Sequence, residues 1–247
     1  RETALQRVVW SADGWLRLAN GGVLPDVEVT PPAGLAAHPW PALPARTDFM
    51  AHTALDARWQ TLRVPADPFW LSFTDRTGWL RMAGRESPHS LHDQSLLARR
   101  LETFRATATM RMEFAPTRFT QFAGLVCWYD TRTNYALRVT HDEKLGRVLR
   151  VQLSDDFAYA EPEDAVLAIA DWPAAVWLRA EIDGADLRFS ASPDGSAWTQ
   201  IGGVFDASKL SDDYGSTLHF TGTMIGIGCH DVAGQRAYAD FEFFELG

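Results

Sequence analysis

From Val176 to Ser192, apolar and polar residues alternate with a period of two on either side of one Asp-Gly pair. Val176, Leu178, Ala180 and Ile182 interleave with Trp177, Arg179, Glu181 and Asp183. After Asp183-Gly184, Leu187, Phe189 and Ala191 interleave with Arg188, Ser190 and Ser192. Side chains that repeat every second residue share one face of an extended strand, and an Asp-Gly pair between two such runs predicts a hairpin. The pattern recurs. Residues 108–114, 124–129, 135–140 and 148–153 are β-rich runs separated by turn-forming stretches, among them Ala115-Pro116 and Lys144-Leu145-Gly146. Pro193-Asp194-Gly195 makes a further turn before a short strand at 198–201. Near the end, Ala239, Phe241 and Phe243 alternate with Asp240, Glu242 and Phe244. Helical periodicity is poor, and only at residues 94–104 does a helix compete. Many short strands with regular turns predict an all-β sandwich of two sheets.

The leading part of the chain obeys different rules. Pro25, Pro31, Pro32, Pro39, Pro41 and Pro44 crowd one stretch with Gly34. Proline lacks a backbone donor and fixes φ, so this stretch suits neither a sheet interior nor a helix. It reads as a linker over residues 25–46. Ahead of it, residues 1–24 carry Trp10, Trp15 and an Asp13-Gly14 turn signal. The sandwich is expected over residues 47–247.

Composition narrows the function classes. A formal charge of −9 argues against a nucleic-acid partner, which calls for a basic surface. No run of about 18 apolar residues is present to span a membrane as a helix. The start, RETALQRVVW, does not read as a secretory leader, so a cytoplasmic location is expected. Two cysteines in 247 residues cannot make a disulfide scaffold. Cys127 and Cys229 each lie in an apolar β run and read as buried reduced thiols, with a pairing between them left open on geometry.

Motifs for chemistry are absent or broken. There is no Gly-x-Ser-x-Gly elbow and no His-Glu-x-x-His. Glu181-Ile182-Asp183 begins the i, i+2, i+4 carboxylate triplet of sandwich glucanases, but position i+4 is Ala185 after a Gly184 turn. A solvated strand face is the reading adopted, and an intact sandwich glucanase is disfavoured. Asp155-Asp156, residues 161–164 and Asp212-Asp213 are acidic, yet adjacent residues of a strand point to opposite faces. They read as surface loops. No cofactor is expected, and calcium on oxygen ligands is the one metal left open, without an assigned residue set. His89 and His92 with Asp93, and His230-Asp231, read as surface or capping residues.

Several motifs occur in a telling order: Gly84-Arg85-Glu86-Ser87 through Gln94-Ser95-Leu96-Leu97-Ala98-Arg99-Arg100, then Phe119-Thr120-Gln121-Phe122-Ala123-Gly124-Leu125. Lys209-Leu210-Ser211-Asp212-Asp213, Phe220-Thr221-Gly222 and Ala239-Asp240-Phe241 follow. Together they resemble the C-terminal β-sandwich of glycoside hydrolase family 43, in the branch of β-xylosidases and some α-L-arabinofuranosidases. The resemblance implies a concanavalin A-like jelly-roll sandwich with an extended N-terminal segment. Residues 1–6, Trp10 and Asp13-Gly14-Trp15 resemble the closing strands of that family's five-bladed catalytic propeller, and Arg1 matches an arginine that lines its substrate pocket. The family's catalytic carboxylates have no counterpart in these residues, so no catalytic residue is assigned and this chain alone is expected to be inactive.

In the resembling enzymes one sandwich loop reaches into the propeller pocket. The matching loop is 220–226, which makes Phe220, Thr223 and Met224 the expected substrate-binding residues beside Arg1. Relatives commonly have Phe where this chain has Met224, a change from a flat stacking wall to an adaptable side chain. The resemblance further implies a xylo-oligosaccharide or arabinoxylan-type substrate reached through the propeller, exo-acting cleavage, and oligomerisation through the sandwich. An independent carbohydrate-binding module with exposed aromatics is the alternative reading.

Overall fold

The computed structural model describes residues 4–50, 54–215 and 220–247. Its strands begin with β1 (Val8–Trp10), β2 (Leu16–Leu18), β3 (Arg46–Asp48), β4 (Gln60–Thr61), β5 (Leu71–Ser72), β6 (Leu80–Ala83) and β7 (Ser95–Arg100). Next come β8 (Arg105–Glu113), β9 (Gln121–Trp128), β10 (Asn134–Asp142), β11 (Gly146–Asp155), β12 (Ala158–Ala160) and β13 (Val166–Ala168). The last are β14 (Ala175–Asp183), β15 (Asp186–Ser192), β16 (Thr199–Gln200), β17 (Phe205–Asp206), β18 (Met224–Asp231) and β19 (Tyr238–Leu246). Helix among the described residues is confined to a 3-10 turn at Ala207–Lys209, and no helix there is long and apolar enough to cross a membrane.

The chain divides into two units, Arg1–Leu43 and Pro44–Gly247. In the first, β1 and β2 pair antiparallel with Val9 opposite Arg17. The Gln6 side-chain amide donates to the Asp26 carbonyl at 2.8 Å, and the Asp26 N–H donates back to the Gln6 Oε1 at 3.2 Å. Beyond Leu24 the proline-rich stretch forms neither strand nor helix before β3. Trp10 and Trp15 are exposed within this unit.

In the second unit, one sheet runs β12-β11-β10-β9-β18-β7-β4 with β13 on β11. The other runs β16-β15-β14-β8-β19-β6-β5, with β17 on β15 and β3 on β19. The predicted Val176–Ser192 hairpin is β14–β15, closed between Asp183 and Asp186. Its inward residues Leu178, Ala180 and Phe189 join Met110, Met112 and Phe241 from the same sheet. Facing them from the other sheet are Leu125, Leu137, Val151, Ile225 and Ile227, all in one buried cluster. Cys127 and Cys229 belong to that cluster as free thiols, and burial pushes the Cys127 thiol up to about 12.

Pairing settles one ambiguity and corrects one expectation. Residues 94–104 supply a strand, β7, because pairing to β18 and β4 on both sides outweighs any local helical pattern. In β19 the strict alternation breaks at a bulge between Phe241 and Phe243. One extra residue flips the phase, so Phe244 follows Phe241 into the core. Phe243 is buried on the opposite face, edge-on to Trp177 at 5.1 Å and beneath the Arg46 guanidinium at 3.5 Å.

The outer face of the β9–β18 sheet is covered by residues 84–94. The His230 ring, expected at the surface, is 4% exposed there, with Nδ1 2.6 Å from the Glu86 carbonyl. His89 Nε2 lies 3.1 Å from Ser154 Oγ, fastening the middle of the strap. What remains beneath is a void of about 10 Å³ bordered by Pro88, Trp128, Ala136 and His230. It has room for roughly one water and none for a sugar ring.

Candidate functional site

Phe220, Thr223 and Met224 come together where a loop enters β18, whereas Arg1 lies outside the described residues. Strand pairing aims this junction. Met224 sits opposite Arg100 of β7 on one side and Trp128 of β9 on the other. Side-chain and backbone groups then fix the preceding loop at several points. Arg100 Nη1 donates to the Thr221 carbonyl at 2.5 Å, and the Leu101 N–H donates to the Thr223 carbonyl at 3.0 Å. Thr223 Oγ1 donates to the Leu210 carbonyl at 2.5 Å.

Asp212 ties the loop to the sheet. Its carboxylate accepts from Tyr129 Oη at 2.6 Å and from the Gly222 N–H at 3.3 Å. Hydrogen bonding from Tyr129 holds the Asp212 carboxyl below the usual carboxylate range, while burial, and next the hydrogen bond to Asp212, push the Tyr129 phenol up. Gly222 has φ +71°, a left-handed conformation that favours glycine, and a β-carbon there would also displace the Arg100 guanidinium.

The fixed loop presents Phe220 at 53% exposure. Met224 points the other way in accessibility: it is 6% exposed, packed with Leu96, Ala98, Val126 and Trp128 on the outer face of the sheet. Thr223 spends its hydroxyl on the Leu210 carbonyl. Chemically the described residues make a fixed platform for an apolar side chain, with the Asp212 carboxylate and the Tyr129 phenol paired to each other behind it. Asp212, Tyr129 and Arg100 were not among the expected site residues. The Lys209-Leu210-Ser211-Asp212-Asp213 motif carried the signal for Asp212 and the Leu210 carbonyl, but nothing in Tyr129 or Arg100 marks a loop anchor before the register is known.

Several other acidic groups pair with cations. Burial raises the Asp155 carboxyl, but hydrogen bonds from Lys209 Nζ at 2.6 Å and Tyr214 Oη at 2.7 Å outweigh it, so the net shift is downward. Asp156 pairs with Arg132, and Asp183 with Arg105 at 2.7 Å on an exposed strand end. Among the described residues no group of three or more His, Cys, Asp or Glu side chains is placed to hold a metal ion.

Comparison with known proteins fits this geometry. Residues 46–246 match the family model of the β-xylosidase C-terminal concanavalin A-like domain. A putative β-xylosidase of Escherichia coli is 38% identical over 99% of this chain and 45% of its own length. A xylan 1,3-β-xylosidase of a Vibrio species is 37% identical over the same shares. The crystal structure of xylan β-1,4-xylosidase from Bacillus halodurans superposes with a TM-score of 0.91 at 38% identity, covering 98% of this chain and 46% of that one. The chain thus spans a little under half the length of these relatives. With the sandwich, the loop motifs and the match all over one stretch, the chain belongs to the C-terminal concanavalin A-like domain family of glycoside hydrolase family 43.

Proposed function

We propose that this chain is the non-catalytic sandwich portion of a xylan-degrading glycoside hydrolase, which packs on a catalytic propeller and completes its substrate pocket. The observation that carries this reading is the 220–223 loop, fixed to Arg100 of β7, to the Leu210 carbonyl and to Asp212 while holding Phe220 outward. A loop so constrained can place an apolar wall against a sugar with little loss of conformational freedom on binding. Phe220 is the side chain that approaches substrate; Thr223 and Met224 form the rigid footing behind it, and Arg1 contributes a pocket cation. The β1–β2 hairpin supports the same reading, because two exposed strands with outward tryptophans need a further partner to be stable.

Inverting hydrolysis requires a general acid and a water-activating base about 6.5–9.5 Å apart. In this proposal both reside in the propeller, and residues 44–247 alone leave aryl xyloside untouched. Phe220→Ala in the full-length enzyme tests the platform. The Michaelis constant for xylobiose is expected to rise about 5- to 10-fold, the equivalent of roughly 1–1.5 kcal/mol of lost apolar contact, with the melting temperature unchanged. Unaltered kinetics in a folded variant would remove Phe220 from the pocket.

A further inference from the structure

The strap formed by residues 84–94 leaves the far end of the same sheet open. There a groove of about 570 Å³ runs between the 116–120 loop and β12. Two aromatic side chains flank it, Phe119 at 66% and Tyr159 at 54% exposure, and Val232 at 53% extends the apolar rim. The floor is a connected polar row. Arg138, only 5% exposed, donates to Gln152 Oε1 at 2.9 Å, to Tyr159 Oη at 3.0 Å and to Glu161. Arg150 donates to the other Glu161 oxygen at 3.0 Å and to Asp142 Oδ2 at 3.2 Å. The Arg138 guanidinium also lies 4.3 Å from the centre of the Phe122 ring, which locks its plane. Two buried polar atoms at this end, Arg138 Nε and Thr120 Oγ1, have no protein hydrogen-bond partner.

Charge selects among ligands. The cations lining the groove, Arg138, Lys144 and Arg150, equal in number the carboxylates Asp142, Glu143 and Glu161, with His141 beside them. A phosphate or uronate site would carry surplus positive charge, and a cation site surplus negative charge. A balanced row of fixed donors and acceptors beside exposed aromatic faces instead fits an uncharged polyhydroxylated ring. The ring's C–H face packs on the aromatics while its hydroxyls meet the charged groups.

We propose that the groove between Phe119 and Tyr159 binds a short run of uncharged sugar residues of a xylan-type chain. The groove chemistry alone commits to a neutral oligosaccharide; the choice of xylan rests on the function proposed above. Retention of the full-length protein on insoluble xylan, with release by free xylohexaose, tests the site. Phe119→Ala removes a stacking face and Tyr159→Phe removes one hydroxyl, and each is expected to weaken retention about 5- to 10-fold. Phe69→Ala, which removes a 62% exposed aromatic away from the groove, is the control and is expected to be retained like the parent.

The proposal is overturned if the parent protein is not retained, if folded Phe119→Ala and Tyr159→Phe variants are retained as well as the parent, or if glucuronate releases the protein better than xylose does. Aryl xyloside turnover, measured on the same preparations, separates the two proposals. Turnover with groove-independent retention sinks the groove and leaves the glycosidase reading standing. Groove-dependent retention without turnover by the parent does the reverse.

Discussion

His230 couples the strap to pH through a single ring. Burial lowers its pKa from 6.5 to about 4, against the Glu86 carbonyl, which raises it, and with help from the Arg138 and Arg85 charges. Above pH 6.5 the ring is neutral in both folded and unfolded chains, and its contribution to stability is complete. As the pH falls from about 6.5 to about 4 the unfolded chain takes up a proton that the folded one excludes, so stability drops across that window, by roughly 3 kcal/mol at most. The His230 ring stacks on Phe122 with centroids 4.9 Å apart; urea unfolding between pH 7 and 4 is expected to show this decline in the parent and a much flatter profile in His230→Phe, which keeps a ring there. Parallel profiles would mean that the ring titrates normally. Gly222 offers a second test at the same scale. Gly222→Ala places a β-carbon in the left-handed region and against Arg100, so a loss of about 1–2 kcal/mol in urea unfolding is expected.

At the scale of elements, the β7–β18 pair carries both the candidate loop and a very close backbone approach. A β-carbon on Gly226 would fall onto the Leu97 carbonyl and the Ala98 backbone. Backbone cannot step aside as a side-chain tip can, so Gly226→Ala is expected to destabilise by about 3 kcal/mol or more, read as a lowered denaturant midpoint or loss of soluble protein. These same elements show what a sequence can and cannot disclose. The β14–β15 hairpin was readable because its alternation and its Asp-Gly turn say the same thing. The strand at Ser95–Arg100 was ambiguous because its evidence lies in β18 and β4, far away in the chain. The β19 bulge has no local mark either, since Phe243 and Phe244 are equally apolar and only the neighbouring register decides which one turns inward. At the candidate site, the motif at 220–222 pointed to the loop. The Tyr129–Asp212 anchor and the Arg138–Glu161 row join residues 83 and 23 positions apart, and only folding brings them together.

At the scale of the whole molecule, the two units differ in what they need. Residues 44–247 enclose a continuous core from both sheets, with Leu80, Met110, Leu137 and Phe241 all inaccessible to solvent. Residues 4–43 enclose none: Trp10 is 74% exposed, Val23 94% and Trp40 83%. The stability of the sandwich should therefore be indifferent to the leading segment, while the solution behaviour of the chain should not. Deleting residues 1–43 is expected to leave the melting temperature within about 2 °C, because a change of 1 kcal/mol moves a domain of this size by roughly 2–4 °C. It is also expected to reduce binding of an apolar dye and self-association, because the deleted residues carry the largest run of exposed apolar side chains. A fall in melting temperature of more than about 5 °C would place the segment within the stabilising contacts of the sandwich. Unchanged dye binding would show that its apolar side chains already have cover. The first outcome pattern would support the proposal made above, in which a catalytic propeller buries the apolar surface of this segment.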